Sequence, residues 1–389
     1  MDCSTVIIIG GGPAGCAAGI TLARAGIPVT LIEATPFPRH RPGESLHPGV
    51  EPILETLGVV DAINSAGFLR HRGINVVLKA ECRKRFEAFG RDERGDWLGY
   101  QAYRPQFDRI LLQEAELSGV RLLQPCRPLA ALVGADGEVI GLETDCGCLT
   151  STYVLDATGR SRWMTQQLGV RWCDHSPRLT ARYGYAHIGA NFNDGDSGNP
   201  EMRCNGLGWT WLARVRQDLL AWVSLRFDSS DPGPKWIPEE LQEMQSAHSS
   251  RGADVTWRIA EQLSGPGWFL LGDAASVLDP AASHGVLRAL MSGMKAANLI
   301  IQCERNQANF TTCSTRYSEW IQAWYSNDRH RLKALYQTLV SQDPTVKFPS
   351  PWLCTMGVMQ PSLNKYAADM LSNSIRRLAV EHRRSRLRS

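Results

Sequence analysis

Four apolar residues, Val6-Ile7-Ile8-Ile9, run directly into Gly10-Gly11-Gly12-Pro13-Ala14-Gly15. A short run rich in β-branched side chains suits a buried parallel strand. Gly10 permits the tight turn, Gly12 lets the backbone approach a pyrophosphate, and Gly15 lets the next helix pack close to the strand. That helix reads Cys16 to Ala25, and its N-terminus offers N–H groups and the positive end of a dipole to phosphate. A second strand, Pro28-Val29-Thr30-Leu31-Ile32, ends in Glu33-Ala34, where a carboxylate can accept hydrogen bonds from ribose hydroxyls. Gly-x-Gly-x-x-Gly by itself also fits a glycine turn in an ordinary βαβ unit. With a strand before it, a helix after it and the acid at this spacing, it reads as a dinucleotide-binding unit.

Composition is compatible with such a fold. The chain has 389 residues, 43% apolar, enough for one large or two interlocked domains. A net charge of +3 gives no electrostatic support for nucleic-acid binding. No apolar run is long enough to span a membrane, and a strand rather than a leader opens the sequence. Of eleven cysteines only Cys146 and Cys148 stand close, as C-G-C, and no second pair completes a zinc site. Reduced thiols, no metal and a cytoplasmic location are the expectation, with a redox role for Cys146 and Cys148 as the alternative.

The organisation is discontinuous. After the first βαβ unit comes a proline-rich loop, Pro36 to Pro48, carrying basic side chains and two histidines. An amphipathic helix over 49–57 follows, then strand-like stretches over 73–79 and 83–89. Tyr103-Arg104-Pro105-Gln106-Phe107-Asp108 leads into a helix over 109–115. Leu122 and Val139 to Glu143 read as a small antiparallel meander, and Tyr153 to Asp156 as another buried strand. From about 166 to 265 aromatic residues rise and alternation appears, as in Leu219 to Phe227, which predicts a mostly antiparallel sheet. The remainder is helical, with a basic end from Arg376 to Arg388. The fold class is α/β. A Rossmann-like cofactor domain is expected over 1–75, 100–165 and 266–305, an inserted substrate domain over 76–99 and 166–265, and a helical region over 306–389.

A second stretch, Leu270-Leu271-Gly272-Asp273-Ala274-Ala275 running on to Asp279-Pro280-Ala281-Ala282-Ser283-His284-Gly285, returns the chain to the cofactor. Together with Gly-x-Gly-x-x-Gly, Glu33, the Arg-x-x-Phe-Asp helix and Asp156-Ala157-Thr158-Gly159, it resembles the FAD-dependent monooxygenases of the p-hydroxybenzoate hydroxylase type over about residues 1–305. Pro42-Gly43-Glu44-Ser45 and Gly208-Trp209-Thr210-Trp211 are similar to the branch that holds the flavin-dependent halogenases, isoprenoid reductases and quinone-cofactor maturation flavoproteins. The resemblance implies FAD. It assigns Gly10, Gly12, Pro13, Ala14, Gly15, Glu33 and Ala34 to the dinucleotide, and Asp273 to the ribityl or phosphate region. Pro280, Gly285 and Val286 go to a helix N-terminus facing the flavin pyrimidine edge. Arg41, Ser45 and Arg104 are further cofactor contacts.

Three activities are weighed. Halogenases of this branch carry a lysine shortly after a glycine matching Gly73, and Glu-Ser-Thr-Gly beside the flavin. This chain is aligned with Val76 and Ala282-Ser283-His284-Gly285 at those places, with Lys79 nearby. Lacking both groups, it is read as similar to the flavoproteins of tryptophylquinone biogenesis. The implied activity is tryptophan hydroxylation in a protein or peptide partner through a flavin C4a-hydroperoxide, using O2. NAD(P)H or an external flavin reductase would supply electrons. Halogenation of an indole or phenol and reduction of isoprenoid double bonds are the alternatives. His284 is the first candidate base and His47 the second, since a neutral imidazole can accept a ring proton. Trp209, Trp211 and Trp222 are candidates to stack on the substrate, though two of the three are expected in the core.

Overall fold

The computed structural model describes residues 2–78, 83–93, 95–189, 198–227, 233, 235–242, 244–247 and 249–342. Lys79, Phe192 and the basic C-terminal arginines lie outside them. The chain packs as two compact units. One comprises residues 1–40, 105–175 and 257–330; the other comprises 41–104, 176–256 and the chain from 331. The expected cofactor domain ran to residue 75. Residues 41–104 nevertheless pack with the aromatic-rich unit, because Glu44–Leu46, Gly99–Ala102 and Leu69–His71 build a three-stranded sheet of their own there.

The first unit is built on β1 (Asp2–Ile9), α1 (Pro13–Arg24) and β2 (Val29–Ile32). β1 lies between β2 and the strand Gly147–Asp156, parallel to both, so that Ile8 faces Leu31 and Ile9 faces Asp156. Val6 to Ile9 are buried on both sides, which accounts for the unbroken apolar run. Strand Arg121–Leu123 extends the parallel set beside β2, with Leu122 opposite Leu31. Leu122 therefore belongs to the edge of the parallel set and not to the expected meander. The meander itself is Pro128–Val133, Val139–Thr144 and the first half of Gly147–Asp156. The second half of that strand pairs in parallel with Trp268–Leu270.

α1 begins at Pro13, three residues before the expected start, because proline suits the first helical position. It packs on the helix Gly285–Glu304 at a glycine: a Cβ on Gly293 would fall onto the Ala14 carbonyl oxygen. The long helix Phe310–Gln342 contributes residues 310–330 to this unit. Among the described residues no helix is long and apolar enough to cross a membrane.

The second unit carries a seven-stranded sheet in the order 251–254, 180–187, 219–226, 208–216, 201–205, 73–78 and 83–88. Every pairing in it is antiparallel except that of 201–205 with 73–78. The expected helix over 49–57 is a one-turn 3-10 segment, Pro48–Val50, running into Glu51–Thr56.

In the small three-stranded sheet His71 is 2% exposed, and its Nδ1–H donates to the Gly73 carbonyl at 3.1 Å. Burial pushes this imidazole down from 6.5 to about 4, so it folds neutral. The unfolded chain takes up this proton as pH falls below 6.5, whereas the folded one resists until about 4. Acid therefore removes stability across that window.

Two outcomes follow for stability. Gly293→Ala is expected to cost about 1–3 kcal/mol by forcing the two helices apart, read as a lower denaturant midpoint. Between pH 6.5 and 5 the His71 contribution is expected to remove about 2 kcal/mol. Urea unfolding at the two pH values should show this loss, and His71→Phe should show less of it.

Candidate functional site

The glycine turn is held from below by Glu33. This carboxylate is 5% exposed at the end of β2. Its Oε2 accepts the Gly11 N–H at 2.8 Å and the Arg39 Nη1–H at 2.8 Å, and its Oε1 accepts the Thr35 N–H at 2.9 Å. Glu33 is thus a brace for the turn; its two oxygens have four lone pairs and use three here. Ala34 is half-buried beside it.

Arg39 was not singled out in the sequence. Its guanidinium stacks on Phe37 at 4.5 Å and reaches Asp108 Oδ2 at 3.7 Å. It also lies 3.2 Å from the place where a side chain on Gly12 would begin. A cation is thus set over the open face of the phosphate turn. The only sequence signal was a cluster, Arg39-His40-Arg41, and the fold decides which member turns back. Asp108 sits one turn beyond Arg104 in the Arg-x-x-Phe-Asp helix, which begins at Arg104 and runs to Leu117.

FAD can be tested against this geometry. Gly12 caps α1 with its backbone alone; no side chain caps the helix and its first turn carries no acid. The first N–H groups are left for an external acceptor, as a pyrophosphate would supply. Gly10 has φ 104°, and a Cβ there would strike the Ala157 carbonyl at 2.7 Å. A bare, glycine-lined turn with Arg39 above and Glu33 below fits the adenosine diphosphate half of FAD.

The second cofactor stretch folds as two short 3-10 turns, Gly272–Ala274 and Pro280–Ala282. Asp273 lines a cavity of about 20 Å³ with Ser276, Arg288, Ser292, Trp320 and Tyr325. That is room for a water and not for a substrate ring. Asp279 is a structural cap: its Oδ1 accepts the Ala281 N–H at 2.9 Å and its Oδ2 the Trp257 indole N–H at 2.6 Å. Asp156 plays a similar part, accepting the Thr158 and Met164 N–H groups at 2.8 Å each.

Ser283 takes a left-handed backbone conformation, φ 54°, a strained geometry for serine. The turn sets His284 at the N-cap of the helix Gly285–Glu304, which has no side-chain cap and no acid in its first turn; Gly285 and Val286 open that helix. His284 Nδ1 stands 3.4 Å from Asp328 Oδ1. Asp328, on the long helix, is 2% exposed, and its other oxygen lies 3.7 Å from Arg288 Nε. A carboxylate at Nδ1 sets the tautomer with the proton on that nitrogen and the lone pair on Nε2. At 3.4 Å the contact is long for a hydrogen bond. Asp328 was not foreseen, because it lies 44 residues beyond His284 on a helix with no motif.

The remaining candidates lie in the second unit. Tyr185 donates to the Arg41 carbonyl at 2.6 Å, Trp211 Nε1–H donates to Ser45 Oγ at 3.1 Å, and Arg104 pairs with Glu44 at 3.0 Å. The stretch 41–46 is thus fastened to the aromatic sheet. His47 caps the turn Pro48–Val50, its Nδ1 accepting the Gly49 N–H at 3.0 Å, and its ring meets Phe89 edge-on. Trp209 and Trp222 are core residues. Trp209 Nε1–H donates to the Tyr336 hydroxyl at 2.9 Å, and Trp222 packs edge-on against Trp236. Of the three tryptophans, Trp211 alone is half-buried.

Comparison with known proteins decides the family. A model of the FAD binding domain matches residues 3–204, more than half of the chain. This chain belongs to the FAD binding domain family. FAD is its cofactor, and its superfamily is that of the flavin-dependent halogenases and FAD monooxygenases. A tryptophan 2-halogenase of Chondromyces crocatus is 28% identical over 358 residues, 82% of this chain but only 65% of the halogenase's own length. A 1H-pyrrole-2-carbonyl-[peptidyl-carrier protein] brominase of Pseudoalteromonas luteoviolacea is 27% identical over 76% of this chain and 77% of its own. The myxobacterial chondrochloren halogenase CndH shares the fold with a TM-score of 0.78 at 23% identity, over 97% of this chain and 90% of that one.

These relatives overturn the expected tryptophan hydroxylation in quinone-cofactor biogenesis: they are named halogenases. The expectation failed because it rested on two single positions, Val76 and Ala282. Val76 sits on strand Gly73–Leu78, paired with Met202 and Arg85, an aliphatic residue in a sheet and no proton donor.

For the cofactor cradle, Arg39→Ala is expected to weaken FAD binding about tenfold, on the scale of one charge-assisted contact. Fluorescence titration of the FAD-free protein measures this. Affinity equal to that of the unmutated chain would remove Arg39 from the cradle.

Proposed function

We propose that the chain is a flavin-dependent halogenase of an electron-rich aromatic ring, an indole, phenol or pyrrole. The observation that carries this reading is the agreement of halogenase relatives over 82% and 76% of the chain. FAD, once reduced, supplies with O2 the oxidising equivalents that turn halide into an electrophile. Overall, ArH + X⁻ + H⁺ + O2 + FADH2 gives ArX + FAD + 2 H2O. NAD(P)H or a partner reductase supplies the reducing equivalents.

The chain's own residues bind and hold protons. Glu33, Arg39 and the N-terminus of α1 grip the adenosine diphosphate half of the cofactor. The N-terminus of the helix Gly285–Glu304 favours negative charge, as on a reduced flavin ring or a halide. His284 Nε2 accepts the proton that the ring loses when the carbon–halogen bond forms, and Asp328 holds the imidazole in the tautomer that can do so. Presentation of the ring on a carrier protein is supported by the pyrrolyl-carrier brominase relative.

The test combines FAD-loaded protein, a flavin reductase, NADH, O2 and either chloride or bromide with indole, phenol and pyrrole substrates, free and carrier-tethered. A product with a halogen isotope pattern that vanishes without halide is expected. A product bearing oxygen whose yield ignores halide would reject the reading. His284→Ala is expected to lower kcat by about 10²–10⁴ with FAD retained. Asp328→Asn should lower it less while leaving KM unchanged.

A further inference from the structure

The hairpin Pro128–Val133 and Val139–Thr144 ends on a pair of thiols. Pro128 pairs with Thr144, and the Asp145 N–H donates to the Arg127 carbonyl at 3.1 Å, so Cys126 and Cys146 come next in the ladder. Cys126 is buried and Cys146 exposed. The sequence suggested Cys148 as the partner of Cys146; the fold supplies Cys126 in its place. The Sγ atoms of Cys126 and Cys146 and an Asp145 carboxylate oxygen all lie within 4.8 Å of one another. Cys146 Sγ is 3.5 Å from Asp145 Oδ1 and 3.5 Å from the Pro125 carbonyl oxygen. Edges of a tetrahedral zinc site are about 3.6 Å from sulfur to oxygen and about 3.8 Å from sulfur to sulfur, from bond lengths of about 2.3 and 2.1 Å.

We propose that Cys126, Asp145 and Cys146 form a site for a thiophilic divalent cation of the zinc type, with the Pro125 carbonyl oxygen at the fourth corner. Binding replaces two thiol protons, released to solvent, with one metal ion. The Arg127 N–H donates to Asp145 Oδ1 at 2.7 Å and holds that carboxyl group at the end of the ladder. The site also touches the cofactor cradle: the Cys126 N–H donates to the Glu33 carbonyl at 2.9 Å. Metal occupancy would brace the strand end that carries Glu33.

Calorimetric titration of the reduced, FAD-loaded protein with Zn²⁺ tests this, with flavin absorbance confirming that each variant is folded. The unmutated protein should take up one equivalent, Cys146→Ser should weaken it at least tenfold, and Cys148→Ser should leave it unchanged. Equal affinity in Cys146→Ser, or an equal loss in Cys148→Ser, overturns the site. In the unmutated protein, Zn²⁺ should protect Cys146 from iodoacetamide and leave Cys148 reactive. Equal alkylation of Cys146 with and without zinc overturns the proposal independently of any variant.

Discussion

One buried carboxylate organises the cofactor end of this chain. Glu33 holds the Gly11 N–H, the Arg39 guanidinium and the Thr35 N–H at once. A buried carboxylate is costly unless paired and hydrogen-bonded. Here the partners that satisfy it are the backbone of the glycine turn and the Arg39 guanidinium, which lies beside Gly12. The tight turn and the placement of Arg39 therefore depend on the same group. The glycines allow the turn, and Glu33 fixes where it stays.

The parts of the fold legible in the sequence were those set by local chemistry. β1, the glycine turn, α1 and β2 read directly, because a buried strand, a turn and a helix N-terminus each leave a mark within a few residues. The aromatic alternation of 219–227 likewise announced an antiparallel sheet strand. Long-range choices stayed hidden. Leu122 looks like any strand residue, and only the pairing with Leu31 shows it to join the parallel set. Arg39, His40 and Arg41 are equivalent in a proline-rich loop until the chain folds Arg39 back onto Glu33. Asp328 carries no motif, yet it is the side chain that sets the tautomer of His284. Two of the three tryptophans proposed for substrate contact are core, as the size of the ring makes usual.

The stretch 41–46 shows how a motif can look like a cofactor contact and still need its own support. Tyr185 and Trp211 tie that loop to the aromatic sheet, Arg104 ties it to its own helix, and Gly43 is required because a Cβ there would meet Ala221 at 2.5 Å. Polar loops near a functional site must be held by something rigid if they are to position a group. In this chain the holders are aromatic side chains from strands far along the sequence. The aromatic enrichment over 166–265 thus has a scaffolding role in addition to any contact with a substrate ring.

The shift from hydroxylation to halogenation turns on how much a single missing side chain can exclude. Val76 and Ala282 removed the lysine and the acid expected of a halogenase, and a positioned proton donor is worth orders of magnitude in rate. That reasoning fixes the chemistry needed but not the residue that performs it. Within the first unit a strained turn at Ser283 presents His284 at an uncapped helix N-terminus, and a buried Asp328 stands behind it. An imidazole held by a carboxylate is the geometry that general acid–base chemistry calls for, whichever residue type supplies the proton. Among the described non-glycine residues Ser283 shares a left-handed backbone with Arg162 and Asn306, and of these it is the one whose turn fixes where a histidine stands beside a buried carboxylate.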